Sequence, residues 1–273
     1  MSVLPRPATP EGRAGLEALL AAPADALIGS DYDGTLSPIV TDPSAAYAHP
    51  AAVMALRRLA AQVGTLAIIT GRPVAQAVEL GGLTDVPGVI VLGHYGWERW
   101  QDGHVSAPPP PPGVAAVRRD LPGVLESAGA PEGTRTEDKG YALAVHTRRT
   151  ADPDGVLKQL REPLAALAER TGLTVEPGRM VIELRPPGMD KGAALTELAG
   201  QRKTRSVMFC GDDLGDLAAF AAVRALRREG IPGVTVYSAS AESAFPAEQA
   251  DLVVDGPEGV AALLTAIADH VTR

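Results

Sequence analysis

Short apolar runs alternate with stretches of helical periodicity along much of the chain. The first run, Ala26-Leu27-Ile28, reads as a buried strand that ends in an acidic, glycine-containing turn. Residues 51–62 place apolar side chains at helical spacing. Residues 65–70 (TLAIIT) predict a second strand running into Gly71-Arg72-Pro73. Pro73 suits the first turn of a helix, because its missing N–H would be unsatisfied there anyway. Residues 89–93 predict a third strand. Strands alternating with helices imply parallel βαβ units. The fold class is therefore α/β: a doubly wound, Rossmann-like parallel sheet with helices on both faces.

The rhythm breaks at residues 108–112, five consecutive prolines that favour a stiff, extended connection. Beyond them Tyr141, Leu143 and Val145 alternate with Ala142, Ala144 and His146 in a half-buried strand pattern. A helix is expected over about 154–171. LTVEP and RMVIELR then predict an antiparallel hairpin turning at Pro177-Gly178. This stretch reads as a small inserted α+β domain. The βα rhythm returns near Lys191, with strands at 206–213, GVTVYS and DLVVD, and helices at 216–228 and 256–270. The expected division is a core of residues 1–103 and 187–273, with an insert of 104–186.

Composition narrows the function classes. The 273 residues are 45% hydrophobic but only 4% aromatic, so Ala, Val and Leu must fill most of the core. No apolar stretch reaches the ~20 residues of a membrane span. Lys and Arg number 25 against 33 Asp and Glu, a net charge of −8, and no dense basic run exists, which argues against a nucleic-acid partner. The lone cysteine, Cys210, allows no internal disulfide and no cysteine-rich zinc site, and it reads as a packing thiol. The opening residues lack the basic head and unbroken apolar run of a secretory signal, so a cytoplasmic location is expected. His49, His104 and His270 read as surface residues. Arg118-Arg119 and Arg227-Arg228 read as solvated helix faces, and Trp97 and Trp100 either stack on a ligand or pack.

In an open parallel sheet, ligands bind outside the carboxyl ends of the strands. Three polar motifs occupy such ends here: Asp31-Tyr32-Asp33-Gly34-Thr35, Thr70-Gly71-Arg72 and Gly211-Asp212-Asp213. Carboxylates clustered at one crevice repel one another unless a cation neutralises them. Hard oxygen donors without His or Cys favour Mg²⁺. Thr70 and Lys191 add a hydroxyl and an ammonium suited to phosphate oxygens. Lys191 stands in the first turn of a helix, near the positive terminus, and needs an anion beside it. Together these residues describe a phosphoryl-transfer site.

In those motifs the chain resembles the haloacid dehalogenase-like phosphatases: DYDGT at 31–35, Thr70, Lys191 and GDDLGD at 211–216 follow that superfamily's order. The resemblance covers roughly two thirds of the chain, and the insert resembles the superfamily's α/β type of cap. More narrowly, the chain is similar to the trehalose-6-phosphate phosphatase family. DYDGTLSPI resembles its opening. HYGWE at 94–98 resembles its His-Gly-x-Glu element, with Tyr95 between His94 and Gly96. In the insert, Glu137 and Lys139, then His146 and Arg148, then Arg179 and Glu183 resemble its sugar-facing positions. Where that family reads GDDxTDED, this chain has Leu214-Gly215-Asp216-Leu217-Ala218 after the acid pair.

The resemblance implies hydrolysis of trehalose 6-phosphate. Asp31 would attack phosphorus, and Asp33 would serve as acid and then base. Mg²⁺ would be held by Asp31, the Asp33 carbonyl and Asp212, supported by Asp213 and Asp216. Gly71, Arg72, His94, Glu98 and the six cap residues would bind substrate. It also implies a trehalose-6-phosphate synthase as functional partner; a monomer is expected. Three alternatives stay open: the same chemistry on sucrose phosphate, a mannosyl-glycerate phosphate or a trehalose-like pseudo-disaccharide phosphate; a phosphomutase; and a non-catalytic sugar-phosphate-binding module that regulates a partner.

Overall fold

A computed structural model describes residues 4–178, 180–240 and 246–272. In chain order its principal elements are α1 (Pro10–Ala21), β1 (Ala26–Ser30), α2 (Pro50–Leu59), β2 (Thr65–Ile69), α3 (Val74–Gly81), β3 (Ile90–Gly93), β4 (Glu98–Gln101), β5 (His104–Ser106), α4 (Pro112–Ser127), β6 (Arg135–Asp138) and β7 (Leu143–His146). They continue as α5 (Pro153–Thr171), β8 (Thr174–Gly178), β9 (Val181–Arg185), α6 (Lys191–Arg202), β10 (Ser206–Gly211), α7 (Leu217–Arg228), β11 (Gly233–Ala239), β12 (Leu252–Asp255) and α8 (Gly256–Val271). The chain divides into two compact units, Met1–Ala107 with Asp190–Arg273, and Pro108–Met189.

The larger unit is built on an eight-stranded sheet of order β12-β11-β10-β1-β2-β3-β4-β5. Pairing is parallel from β12 to β3 and antiparallel through β4 and β5. The central strands are buried on both faces and so read as continuous apolar runs. Their side chains still alternate: Ile28, Ile68, Met208 and Val236 pack under α2, α3 and α8. Leu27, Ile69, Phe209 and Val207 pack under α6 and α7. The expected α/β class, with helices on both faces, is borne out. Among the described residues no helix is long and apolar enough to cross a membrane.

The smaller unit holds an antiparallel sheet of order β6-β7-β9-β8. Helices α4 and α5 cover one face, where Val117, Leu121, Leu160 and Leu164 meet Leu143, Val145, Ile182 and Leu184. The alternate positions form the other face. Register sets Glu137, Ala144, Glu183 and Glu176 in one row across it.

Several elements differ from the sequence-based expectation. Helix α1 opens with Thr9, whose side chain accepts from the Gly12 N–H, and no strand or helix was expected before Ala26. Strands β4 and β5 extend the sheet at its edge. The proline run is not extended throughout: Pro112 is the first residue of α4, where a missing N–H costs nothing. Pro177 and Gly178 belong to β8, paired with Ile182 and Val181, so the hairpin turns after them. Arg227 does not lie on a solvated face, because its guanidinium pairs with the buried Asp251. Arg118 and Arg119 do lie on an exposed helix face, as expected, where they pair with Asp138 and Asp120.

Candidate active site

β1 ends at Ser30, and the Asp31 N–H still donates to the Cys210 carbonyl of β10 at 2.8 Å. Asp31 is thereby fixed at the carboxyl end of the sheet's centre. The chain then folds back: Gly34 donates its N–H to the Ser37 carbonyl, and Ser37 to that of Tyr32. Gly34 has φ +75°, and a Cβ there would lie 2.1 Å from an Asp212 carboxylate oxygen. Only glycine satisfies both conditions, so the glycine of the DYDGT turn is the floor against which Asp212 rests.

Lys191 opens α6 behind an Asp190 cap that accepts from the Ala193 N–H. It is 5% exposed, and its Nζ lies 2.7 Å from both Asp31 Oδ1 and Asp216 Oδ1. The anions that a lysine in a first helical turn requires are therefore both present. Asp216 is fully buried, and its Oδ2 accepts the N–H groups of Asp212 and Asp213 at 2.9 and 3.2 Å. It braces the acidic loop from beneath. A Cβ at Gly211 would sit 2.4 Å from the Asp216 carboxyl carbon, so this glycine too is a packing surface.

Asp31, Asp212 and Asp216 each offer a carboxylate oxygen within 4.8 Å of the others. Burial pushes all three carboxyls upward, Asp31 well above the usual carboxylate range and Asp212 to about 7; the Lys191 charge works against this, and the neighbouring acids reinforce it. Burial alone would lower the Lys191 ammonium, but Asp216 and Asp31 outweigh it and hold it well above its ordinary value. Three buried carboxylates against one ammonium leave excess negative charge among hard oxygen donors. A divalent cation fits that donor set. Both Asp216 oxygens already accept, from Lys191 and from the loop N–H groups, so Asp216 braces the donor set.

The other expected site residues divide by position. The Asp33 and Asp213 carboxylates lie outside this buried group. Asp213 is exposed and accepts from the Gly215 N–H at 2.8 Å. Asp33 is gripped bidentately by Arg72, at 2.7 Å from Nε and 2.6 Å from Nη2. The Arg72 guanidinium lies 5.5 Å from the Tyr32 ring centroid, and its Nη1 donates to the Pro43 carbonyl. Thr70 is buried at the end of β2, and its hydroxyl accepts from the Arg72 N–H at 3.2 Å. His94 is 3% exposed. Glu98 accepts from the Val74 N–H at 2.9 Å and so caps α3.

In the smaller unit, Lys139 Nζ meets Glu183 Oε2 at 2.6 Å, while Glu183 Oε1 is buried without a hydrogen-bond partner among the described residues. Glu137 pairs with His146 at 2.9 Å. Both line a cavity of about 360 Å³ with Arg135 and Arg148. Arg179 lies outside the described residues.

The family model for trehalose-phosphatase matches residues 30–252. The chain belongs to the trehalose-phosphatase family. The trehalose-phosphate phosphatase of Mycobacterium marinum is 34% identical over 251 residues, which cover 89% of this chain and 61% of that protein. The chain thus spans about three fifths of that relative's length. Solved structures also share the fold. The C-terminal domain of the C. albicans trehalose-6-phosphate phosphatase has a TM-score of 0.72 at 22% identity, covering 98% of this chain and 99% of that one. The Aspergillus fumigatus trehalose-6-phosphate phosphatase has a TM-score of 0.71 at 24% identity, covering 97% and 99%.

For this trehalose-phosphatase chain, motif reading reached the acids, Thr70 and Lys191. It gave no role to Tyr95, whose phenol lies against Gly71, or to Thr35 by itself, whose hydroxyl donates to Asp212 Oδ1 at 3.5 Å. The tight spacing of glycines with the motifs was the available signal. Trp100 packs in the core. Cys210 is buried, as expected, and burial pushes its thiol up to about 12. His104 and His270 are exposed, whereas His49 is half-buried.

Proposed function

We propose that the chain hydrolyses trehalose 6-phosphate to trehalose and phosphate with Mg²⁺. One observation carries the reading: a buried aspartate at the end of the central strand, paired with a buried lysine and adjoined by two further carboxylates. The family match and the 34% identity to a trehalose-phosphate phosphatase support the substrate. Asp31 attacks phosphorus, and the bond to the sugar oxygen breaks as Asp33 gives that oxygen its proton. Water then attacks the aspartyl-phosphate, Asp33 takes the water's proton, and phosphate leaves. Thr70 and Lys191 hold phosphoryl oxygens, and Lys191 also fixes Asp31. The ion, held by Asp31, the Asp33 carbonyl and Asp212, would neutralise charge on the transferring group. The inserted unit serves as the cap, with Glu137, Lys139, His146, Arg148, Arg179 and Glu183 reading the disaccharide. A trehalose-6-phosphate synthase would supply the substrate.

The test is phosphate release from a panel of sugar phosphates with Mg²⁺. Trehalose 6-phosphate should be the best substrate, with no turnover in EDTA. A faster sugar phosphate would replace the proposed substrate. No release from any of them would favour a binding module, and full activity after verified metal removal would end the metal assignment.

A further inference from the structure

Three consecutive residues after β3 adopt left-handed backbone: His94 (φ +47°), Tyr95 (φ +56°) and Gly96 (φ +105°). Among the described residues the other non-glycine positions with positive φ are single. They fall in the β4–β5 turn (Asp102), the β8–β9 turn (Met180) and the end of α6 (Lys203), where such backbone is ordinary. Two adjacent side-chain-bearing residues held this way persist only where the surroundings impose it.

Those surroundings are the loop that carries Thr70 and the helix that carries Lys191. The His94 N–H donates to the Arg72 carbonyl at 3.0 Å, and the Tyr95 N–H to the Thr70 carbonyl at 2.9 Å. The Tyr95 ring lies over Gly71. A Cβ there would be 2.7 Å from the phenol oxygen and 2.9 Å from the ring carbon that bears it. On the opposite side Gly96 packs against Ala194, three residues beyond Lys191, where a Cβ on Gly96 would come within 2.8 Å of the alanine Cβ. Glu98 ties the same segment to the start of α3.

We propose that Tyr95 is a positioning residue of the phosphate site: its ring seats on Gly71, and its N–H holds the Thr70 carbonyl, so that the Thr70 hydroxyl is fixed in place. The inference rests on the reading of Thr70 as a phosphate ligand. Its effect concerns the phosphoryl group, which every phosphate ester shares, and not the sugar.

The experiment compares kcat/KM for trehalose 6-phosphate and 4-nitrophenyl phosphate, with unfolding temperature as a control. Tyr95→Ala should lose roughly 10–100-fold on both substrates. Tyr95→Phe keeps the ring on Gly71 and should recover most of that loss. In a Thr70→Val background, Tyr95→Ala should cost less than about 3-fold more, because the two act as one unit. Gly71→Ala forces its methyl against the phenol. It should lose about as much as Tyr95→Ala, and the double variant no more than either alone. If Tyr95→Ala does not fold, Tyr95→Phe and Gly71→Ala decide. Multiplicative losses with Thr70→Val, a loss confined to the sugar phosphate, or no recovery with Phe would each overturn the proposal. If Thr70→Val itself costs nothing, the reading of Thr70 fails and takes this inference with it.

Discussion

At the end of β1, Lys191 and the acids it meets are almost wholly removed from solvent. On the sheet of the smaller unit, Glu137 meets His146 at similar range, yet Glu137 stays exposed. Between these extremes Glu183 is 7% exposed, with one carboxylate oxygen on Lys139 and the other without a partner among the described residues. Burial decides how much each pairing matters. A charge removed from water is costly unless it is paired or neutralised, so each charge in the first cluster counts for more than one on the exposed sheet. An exposed ion pair is screened and contributes little. Glu183 is buried like the first kind but is left half-satisfied, which suits a group completed by a ligand.

The largest effect should come from the buried cluster. Asp31→Asn should lower kcat about 10³-fold or more. Its unfolding temperature should stay within about 3 °C of wild type, because the change removes a charge from a site with excess negative charge. Near wild-type turnover, with deamidation ruled out by mass spectrometry, would show the wrong nucleophile was chosen.

Glu183→Ala should come next. We expect kcat/KM for trehalose 6-phosphate to fall about 10–100-fold while an aryl phosphate changes less than about 3-fold, since only the sugar offers hydroxyls to the buried carboxylate. Equal losses on the two substrates would assign Glu183 to the fold of its sheet instead.

A pH experiment sharpens the contrast further. Asp31, Asp212 and Asp216 titrate above the ordinary carboxylate range in the metal-free folded chain, Asp212 at about 7, against about 4 when unfolded. Protonation therefore favours the folded state. For Asp212 that contribution is full below about pH 4 and is lost as pH rises through about 7; for Asp31 and Asp216 it is likewise lost as pH rises above the ordinary carboxylate range. A divalent cation bound among these carboxylates would take the place of those protons. The rise in Tm caused by Mg²⁺ should be small at pH 5.5 and reach roughly 5 °C at pH 8 with the ion well above its Kd. An equal or larger shift at pH 5.5 would contradict the site.

The smallest effect belongs to the exposed pair. Glu137→Gln should change kcat/KM for trehalose 6-phosphate by no more than about 5-fold and leave Tm unaltered. A loss as large as that of Glu183→Ala would mean that exposure is a poor guide to function on this sheet.

The sequence carried the chemistry better than the supports. Asp31, Thr70 and Asp212 were legible because each closely follows an apolar run that reads as a buried strand, and Lys191 because it opens a helix after a Pro-Pro-Gly break. Lys191 also stands where a helix disfavours a cation. Hairpin β4–β5 was missed although Asp102-Gly103 is a strong turn signal. Helix α4 was hidden because a proline run looks extended until its last member starts a helix. Arg227 looked solvated because its partner, Asp251, is 24 residues away in sequence. The left-handed backbone at His94 and Tyr95 has little signature in those residue types, since histidine is enriched at positive φ but tyrosine is not. It is imposed by packing between two distant segments.

Cys210 gives the molecule an internal clock. It is the chain's single thiol, lies on β10 between Ser30 of β1 and Val236 of β11, and is wholly buried. Its carbonyl also receives the N–H of Asp31. A thiol with its ionisation pushed up to about 12 reacts with an alkylating reagent only when the strand is uncovered. The rate of its labelling therefore counts openings of the sheet at the place where Asp31 is anchored. Slower labelling with Mg²⁺ or phosphate present would measure, in one number, how far occupancy of the strand ends quiets the middle of the sheet.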